Sequence, residues 1–498
     1  MSKSLKTVVV IACLSGLLPA VVAGQGAEDV LRYSLRYPSF DAASMILPGV
    51  THPSGFGSYQ ENPAVMAFFD RSFGSFSFSL RNVNEETSFL GTNNDFDDTQ
   101  SGLGDIGLVY KIPTVRGSFV VGGGYSQSTD YNRAMGLNVR NNRSTLTDFY
   151  NITEDEDLYD AAFNVYAVDW ADVDSTFTES IFRIGFAPSD FPGIRQDMEL
   201  TERGMIGDYS VFIATEFQKN LFVGGSIGIQ AGSYNYERQF LESDPDNLFD
   251  GTFIDSDGDG AGETDIDRLL SVDTIDATFT SFSARLGAVY RIGPYLCIGG
   301  SYQFSNSLSV SEEFNTRLVS TFDNGEGFEE SLPGEFSYKV VRPARMNIGL
   351  SFGIPGGAIL SASAERVDYS TAEIDFEGTD LDFQNRENEF IEQEFVETLN
   401  LRAGVQFPVT GEFIPRIGYG YFPSPRKSFD ATREFYNAGF SIKLSPNVWF
   451  DVGAQYSTWN DQNRLYTWFS QAGSEFREEI AGEEVRRLHV IGGVRIDF

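Results

Sequence analysis

The chain has 498 residues, with 71 acidic against 36 basic side chains and a formal charge of -35. A length prior alone suggests several domains, but so acidic a surface cannot neutralise phosphates, which excludes a nucleic-acid partner. Two histidines and two cysteines exclude a multi-histidine zinc centre and a disulfide framework, whereas 44 Phe, 22 Tyr and 50 Gly suit a transmembrane β-barrel.

Residues 1–23 have Lys3 and Lys6, an apolar run from Val8 to Val22, and small residues at Val21-Val22-Ala23. They read as a signal peptide cleaved near Ala23 or Gly24. No later stretch of 18 apolar residues follows, so a membrane would have to be crossed by a closed barrel. The segment Gly24–Asp70 comes before any strand pattern.

From Phe73 onward, apolar and polar residues alternate over stretches of strand length. Leu399, Leu401, Ala403, Val405 and Phe407 alternate with Asn400, Arg402, Gly404 and Gln406. The apolar set can face lipid, and the other set is too polar and too small for a packed core. Strands are expected at 73–83, 103–113, 117–127, 205–217, 219–236, 277–292, 295–310, 336–353, 357–373, 395–408, 411–422, 432–444, 447–459 and 485–498. That is an all-β, antiparallel transmembrane barrel of about 14 strands. Short turns at 292–294, 355–357, 408–411 and 445–447 would be periplasmic. The stretches 84–102, 128–204, 237–276, 311–335, 374–394 and 460–484 would be extracellular loops, with short helices inside 148–170 and 374–396. The segment 178–188 is assigned to a loop.

The chain ends Val494-Arg495-Ile496-Asp497-Phe498. A terminal Phe with apolar residues two and four positions earlier resembles the signal read by the bacterial barrel assembly machinery. Asp255, Asp257 and Asp259, followed by Gly260 and with Glu263 at the ninth place, match part of a calcium loop, though Ile266 stands where a Glu closes such loops. The site would stiffen an extracellular loop, so Ca2+ is a possible ion there and no cofactor is required.

Asn62-Pro63-Ala64, followed by Phe68-Phe69 just before the first strand, resembles the hatch of the FadL/TodX family of outer-membrane transporters for long-chain fatty acids and other hydrophobic compounds. Similar likeness runs through Ser144-Thr145-Leu146-Thr147-Asp148-Phe149-Tyr150 and Pro415-Arg416-Ile417-Gly418-Tyr419-Gly420-Tyr421, with Pro423 and Pro425. The resemblance implies a hatch at 24–72 plugging a barrel over 73–498. It implies a hydrophobic small-molecule ligand, surrounding outer-membrane lipid, and exit through the wall beside a kinked third strand. In that strand Gly122, Gly123 and Gly124 permit a kink, or a close approach of packed backbone.

Alternation turns Arg285, Arg345, Arg402, Arg416, Arg487 and Arg495 inward, with Asp105, Glu365, Asp451 and Asp497. The arginines are candidates for gripping a ligand carboxylate, against the plainer reading of an ion-paired barrel interior. Cys297 reads as an inward filler and His489 as an inward hydrogen-bonder. No nucleophile pairs with either His52 or His489 in the sequence, so no enzyme is expected. Two other uses of such a barrel are a scaffold for surface or secreted proteins and an open diffusion porin. A porin usually begins directly with a strand.

Overall fold

The computed structural model describes residues 26–498 except 39–40, 172–173, 188, 250, 252–253, 256–260 and 471–474. The expected signal peptide lies outside the described residues. Fourteen antiparallel strands close into a barrel, because the last, β14 (Glu475–Asp497), pairs with the first, β1 (Phe73–Phe89). In order between them stand β2 (Thr92–Ile112), β3 (Phe119–Asp130, resumed at Arg133–Asn141), β4 (Ile194–Gln218), β5 (Leu221–Ser243) and β6 (Ile266–Ile292). Then come β7 (Leu296–Gln303, resumed at Asn306–Phe322), β8 (Gly327–Arg342, resumed at Arg345–Gly353) and β9 (Ile359–Asp368, resumed at Glu373–Asp375). The wall is completed by β10 (Glu397–Gln406), β11 (Phe413–Phe422), β12 (Arg433–Ser445) and β13 (Val448–Ser470).

Every expected strand is present, and the faces are as alternation assigned them. Leu399 and Leu401 point outward and exposed, while Asn400, Arg402 and Gln406 are buried inward. The outward residues Phe76, Phe78 and Leu80, Ile106, Leu108 and Tyr110, and Tyr209, Val211 and Ile213 form an apolar belt around the barrel. Such a belt is what the hydrocarbon of a membrane requires of a barrel's outer face.

Four expected loops are largely strand. Residues 84–102 form a hairpin whose turn is Leu90-Gly91, both with positive φ (49° and 82°), the geometry a two-residue hairpin needs. The stretches 237–276, 311–335 and 460–484 likewise shrink, as β5 and β6, β7 and β8, and β13 and β14 run on past the belt. Above the belt the outer face meets water, so the hydrophobic alternation disappears while the cross-strand hydrogen bonds continue. The stretch 128–204 holds the resumed part of β3, α2 (Leu146–Tyr150), α3 (Glu156–Asn164) and a small sheet of Val168–Trp170 with Thr178–Ser180. The stretch 374–394 is mainly helix α4 (Leu381–Glu394).

Residues 26–38 and 41–69 run inside the barrel. They comprise α1 (Ala27–Ser34) and two 3-10 turns, Phe56–Gln60 and Pro63–Phe68. Asn62 accepts from the Ala64 N–H at 3.0 Å and Pro63 takes the first position, so Asn-Pro-Ala starts the second turn with its own cap. Asp41 ties the segment together by accepting from the backbone N–H of Ala43, Ser44 and Gly57. At the long-loop end, α1 meets α4: the Ala27 N–H donates to Glu387 at 2.8 Å.

Candidate functional site

The internal segment is seated by polar bonds to the wall and by glycines in it. Asn62 Nδ2 donates to the Val50 carbonyl within the segment and to the carbonyls of Ala288 on β6 and Gly300 on β7. A Cβ at Gly287 would lie 1.9 Å from Asn62 Oδ1, and one at Gly224 would lie 2.7 Å from the Ala64 backbone nitrogen. The Gly-rich inner face thus lets backbone approach backbone. Ser118 Oγ donates to the Ala67 carbonyl at 2.6 Å, and Ser361 Oγ to that of Pro48.

The inward arginines are where alternation placed them, and each is engaged by the protein itself. Arg285 pairs with Asp208 at 2.7 Å and Arg345 with Glu365 at 3.0 Å. Arg402 pairs with Glu61 of the internal segment and donates to the Ser44 and Met45 carbonyls. Arg416 donates to Gln406 and Ser441, and Arg487 pairs with Asp130. Arg495 pairs with Asp497 at 3.3 Å. Asp105 accepts from Ser75 and Ser77, and Asp451 from Ser441. These groups are the ion-paired interior, and they do not converge on one ligand position.

The expectation for His489 needs correction: it is buried, yet neither ring nitrogen has a partner. Cys297 is half-buried beside the apolar cluster of Phe68 and Phe69, as a filler would be. Burial pushes the His52 imidazole down to about 4. Of the calcium-like loop, Asp257 and Asp259 lie outside the described residues, and Asp255 and Glu263 alone do not define a site.

Arg342 is the residue that alternation missed. It donates to Gln230 and to Ser281 Oγ, both neutral, and its Nε is buried without a partner. No described carboxylate forms an ion pair with it. Pro343 interrupts β8 and flips its parity: Tyr338 and Val340 face inward before the break, and Arg345 after it. A strand drawn through 336–353 without a break therefore turns Arg342 outward, and Pro343 was the available signal.

Two cavities open beside this break. One is lined by Tyr33, Arg36, Ser128, Gln230, Arg342 and Arg345. The other is lined by Arg36, Gln60, Glu61, Glu365, Asn400 and Arg402. Both linings carry charged and polar groups beside apolar ones. The apolar surface lies next door and is filled by the chain's own α1. Val30, Leu31 and Tyr33 pack among Ile206, Tyr234, Phe279, Leu308 and Val310. Tyr33 meets Phe279, Tyr131 and Tyr234 edge-on, with ring centres 4.8 to 6.1 Å apart. Here an aromatic wall stands beside a guanidinium that no described carboxylate pairs with directly.

β3 passes this cavity and parts from β2 while staying paired with β4. Its ladder to β2 ends at the pair Asp105 and Ser126, and its register to β4 shifts between Gln127 and Thr129. From Tyr125 to Asp130 every residue is buried, so both faces are covered and alternation is lost. The departure is not at Gly122, Gly123 and Gly124, which pair on both sides. Those glycines serve close packing: a Cβ at Gly122 would lie 2.4 Å from the Phe212 ring and one at Gly124 would lie 2.2 Å from the Ile106 carbonyl oxygen. The gap begins at Asp105, directly above Ile106 at the upper edge of the apolar belt.

This barrel aligns with solved structures of membrane transporters. The Pseudomonas putida toluene transporter TodX superposes with a TM-score of 0.54 at 11% identity, over 93% of this chain and 99% of that one. A Pseudomonas aeruginosa FadL homologue gives 0.53 at 14%, over 93% and 100%. The Ralstonia pickettii toluene transporter TbuX gives 0.50 at 14%, over 93% and 99%. The chain has their fold. Comparison of the sequence with models of known families and with curated proteins gives no match. The alignments cover 93% of the chain, and the barrel expected from the strand pattern is the fold observed.

Proposed function

We propose that the protein is an outer-membrane channel that imports hydrophobic compounds, with residues 24–72 as its hatch and the break in β3 as its lateral exit. The observation that carries this reading is the parting of β3 from β2 beside a cavity, in a barrel whose lumen holds residues 26–38 and 41–69. An open diffusion porin has no use for that filling, and a scaffold has no use for the gap. The solved structures sharing this fold include toluene transporters and a FadL homologue. A hydrophobe arriving from the long-loop end displaces α1 from the aromatic wall of Tyr131, Tyr234 and Phe279. Its polar end, where it has one, meets Arg342. Movement of the hatch then opens the way to the gap above Asp105, and the compound passes into the bilayer rather than into water. Burial of apolar ligand surface drives the first step at about 25 cal/mol per Å².

The test is uptake of radiolabelled oleate and of toluene by bacteria that have lost their own importer and express the full chain. Uptake above the empty-vector level for either compound supports the reading. Uptake no faster than in the empty-vector strain, from a correctly inserted barrel, contradicts it.

A further inference from the structure

Asp130 ends the lower part of β3 at the point where that strand has turned into the lumen. Its side chain is 2% exposed. Its carboxylate pairs with Arg487 of β14 and stands 3.7 Å from Arg81 of β1, both equally buried. Neither strand is a neighbour of β3 in the wall: β2 separates β3 from β1, and β1 separates β2 from β14. Strands in a sheet are about 4.8 Å apart, so a regular wall would hold β3 roughly 10 Å from β1 and farther still from β14. Here residues of Arg133–Asn141 come within 8 Å of β1, Cα to Cα. The upper half of β3 therefore lies across the inner surface of β1 and β2.

Charge accounts for why it stays there. Among the described residues, Asp130 is the one carboxylate ion-paired with Arg81 or Arg487. The imidazole of His489 lies in the same cluster, and the Tyr37 ring of the internal segment stacks 4.6 Å from the Arg487 guanidinium. With Asp130 removed, two buried guanidinium groups would face each other without a counterion, a costly arrangement. Returning β3 to the edge of β2 would draw Asp130 away from them, so they oppose its return.

We propose that Asp130, with Arg487 and Arg81, is an electrostatic latch that holds β3 away from β2, while β4 keeps it paired on the other side, and so keeps the lateral exit open. The latch rests on the lateral-exit reading above. Asp130 is a positioning residue, acting through the strand that carries it. Released, β3 resumes its ladder with β2. The observed pair of 105 with 126 then continues across the bulge at Gly104 to 103 with 127, both on the outer face, so Leu103 and Gln127 become cross-strand partners.

The experiment uses the full chain with Leu103→Cys and Gln127→Cys, and with Cys297→Ser to remove the other thiol. Disulfide formation under a mild oxidant is followed with Asp130 intact, with Asp130→Asn and with Asp130→Glu. The latch predicts several-fold faster cross-linking in Asp130→Asn and rates near the intact protein in Asp130→Glu. Arg487→Gln should accelerate it too, which keeps the test decisive if Asp130→Asn fails to fold. Equal rates in all folded variants overturn the latch. Oleate uptake by the cross-linked and reduced forms separates the two claims. Uptake unaffected by the cross-link overturns the lateral exit, and the latch with it. Uptake stopped by the cross-link, with rates insensitive to Asp130, overturns the latch alone.

Discussion

Asn62 occupies the space that a side chain at Gly287 would fill: a Cβ there would lie 1.9 Å from the Asn62 amide oxygen. At Gly224 the obstacle is backbone, with the Ala64 nitrogen 2.7 Å away, so no rotamer change relieves it. Gly224→Val should unseat the segment at a cost of about 1–3 kcal/mol, the usual range for overpacking. The barrel should still form, because β5 keeps its ladders on both sides. Limited proteolysis of the purified protein checks this, with faster cutting within residues 26–70 and an intact barrel fragment expected.

Asn62→Ala removes one side chain that serves three carbonyls and caps a turn. Buried carbonyls left without donors cost about 1–3 kcal/mol. The same proteolysis assay should place this variant near Gly224→Val. Asn62→Asp should not rescue it, since a carboxylate cannot donate to the three carbonyls.

Much of this arrangement was legible in the sequence. Period-two alternation located all fourteen strands, because the belt forces one face of each to be apolar. It lost the strand extensions beyond the belt, such as Asn84 to Phe89, where both faces can be polar. It also lost Arg342, because parity holds only along an unbroken strand and Pro343 shifts it. The glycine triplet Gly122–Gly124 was visible, but not its purpose: whether glycine bends a strand or admits a neighbour depends on Phe212 and Ile106, which are remote in sequence. The ion pairs of Arg402 with Glu61 and of Arg487 with Asp130 join residues more than 300 apart and left no local trace.

Arg342 lines the cavity beside Tyr33, and no described carboxylate forms an ion pair with it. A hydrogen bond to a charged group contributes about 1.5–3 kcal/mol. Arg342→Gln should therefore weaken oleate binding by about tenfold or more while leaving toluene binding nearly unchanged. Fluorescence or calorimetric titration of the purified barrel with each compound measures both. Equal losses for the two would mean that the substitution disturbs the cavity rather than a head-group contact.

Docking of α1 should depend on pH through Asp29. Burial is the main cause that raises its carboxyl to about 7, with Glu202 adding to the effect and Arg32 opposing it. Exposed, the group titrates near 3.8. Between these values the docked helix holds more of the proton than the free one, so docking weakens as pH rises through that window. A spin label at Glu28→Cys should be more mobile at pH 8 than at pH 5. Adding Asp29→Asn should remove most of that difference, and a difference that persists would assign the effect to another group.

The central claim is that the lumen holds a hydrophobic compound against the hatch. It is tested most directly by purifying the protein from bacteria in mild detergent and identifying co-purified small molecules by mass spectrometry, for the full chain and for a form lacking residues 24–70. The account predicts hydrophobes retained by the full chain and lost with the segment. A barrel free of small molecules in both forms, or one carrying the same hydrophobes with and without residues 24–70, would contradict it.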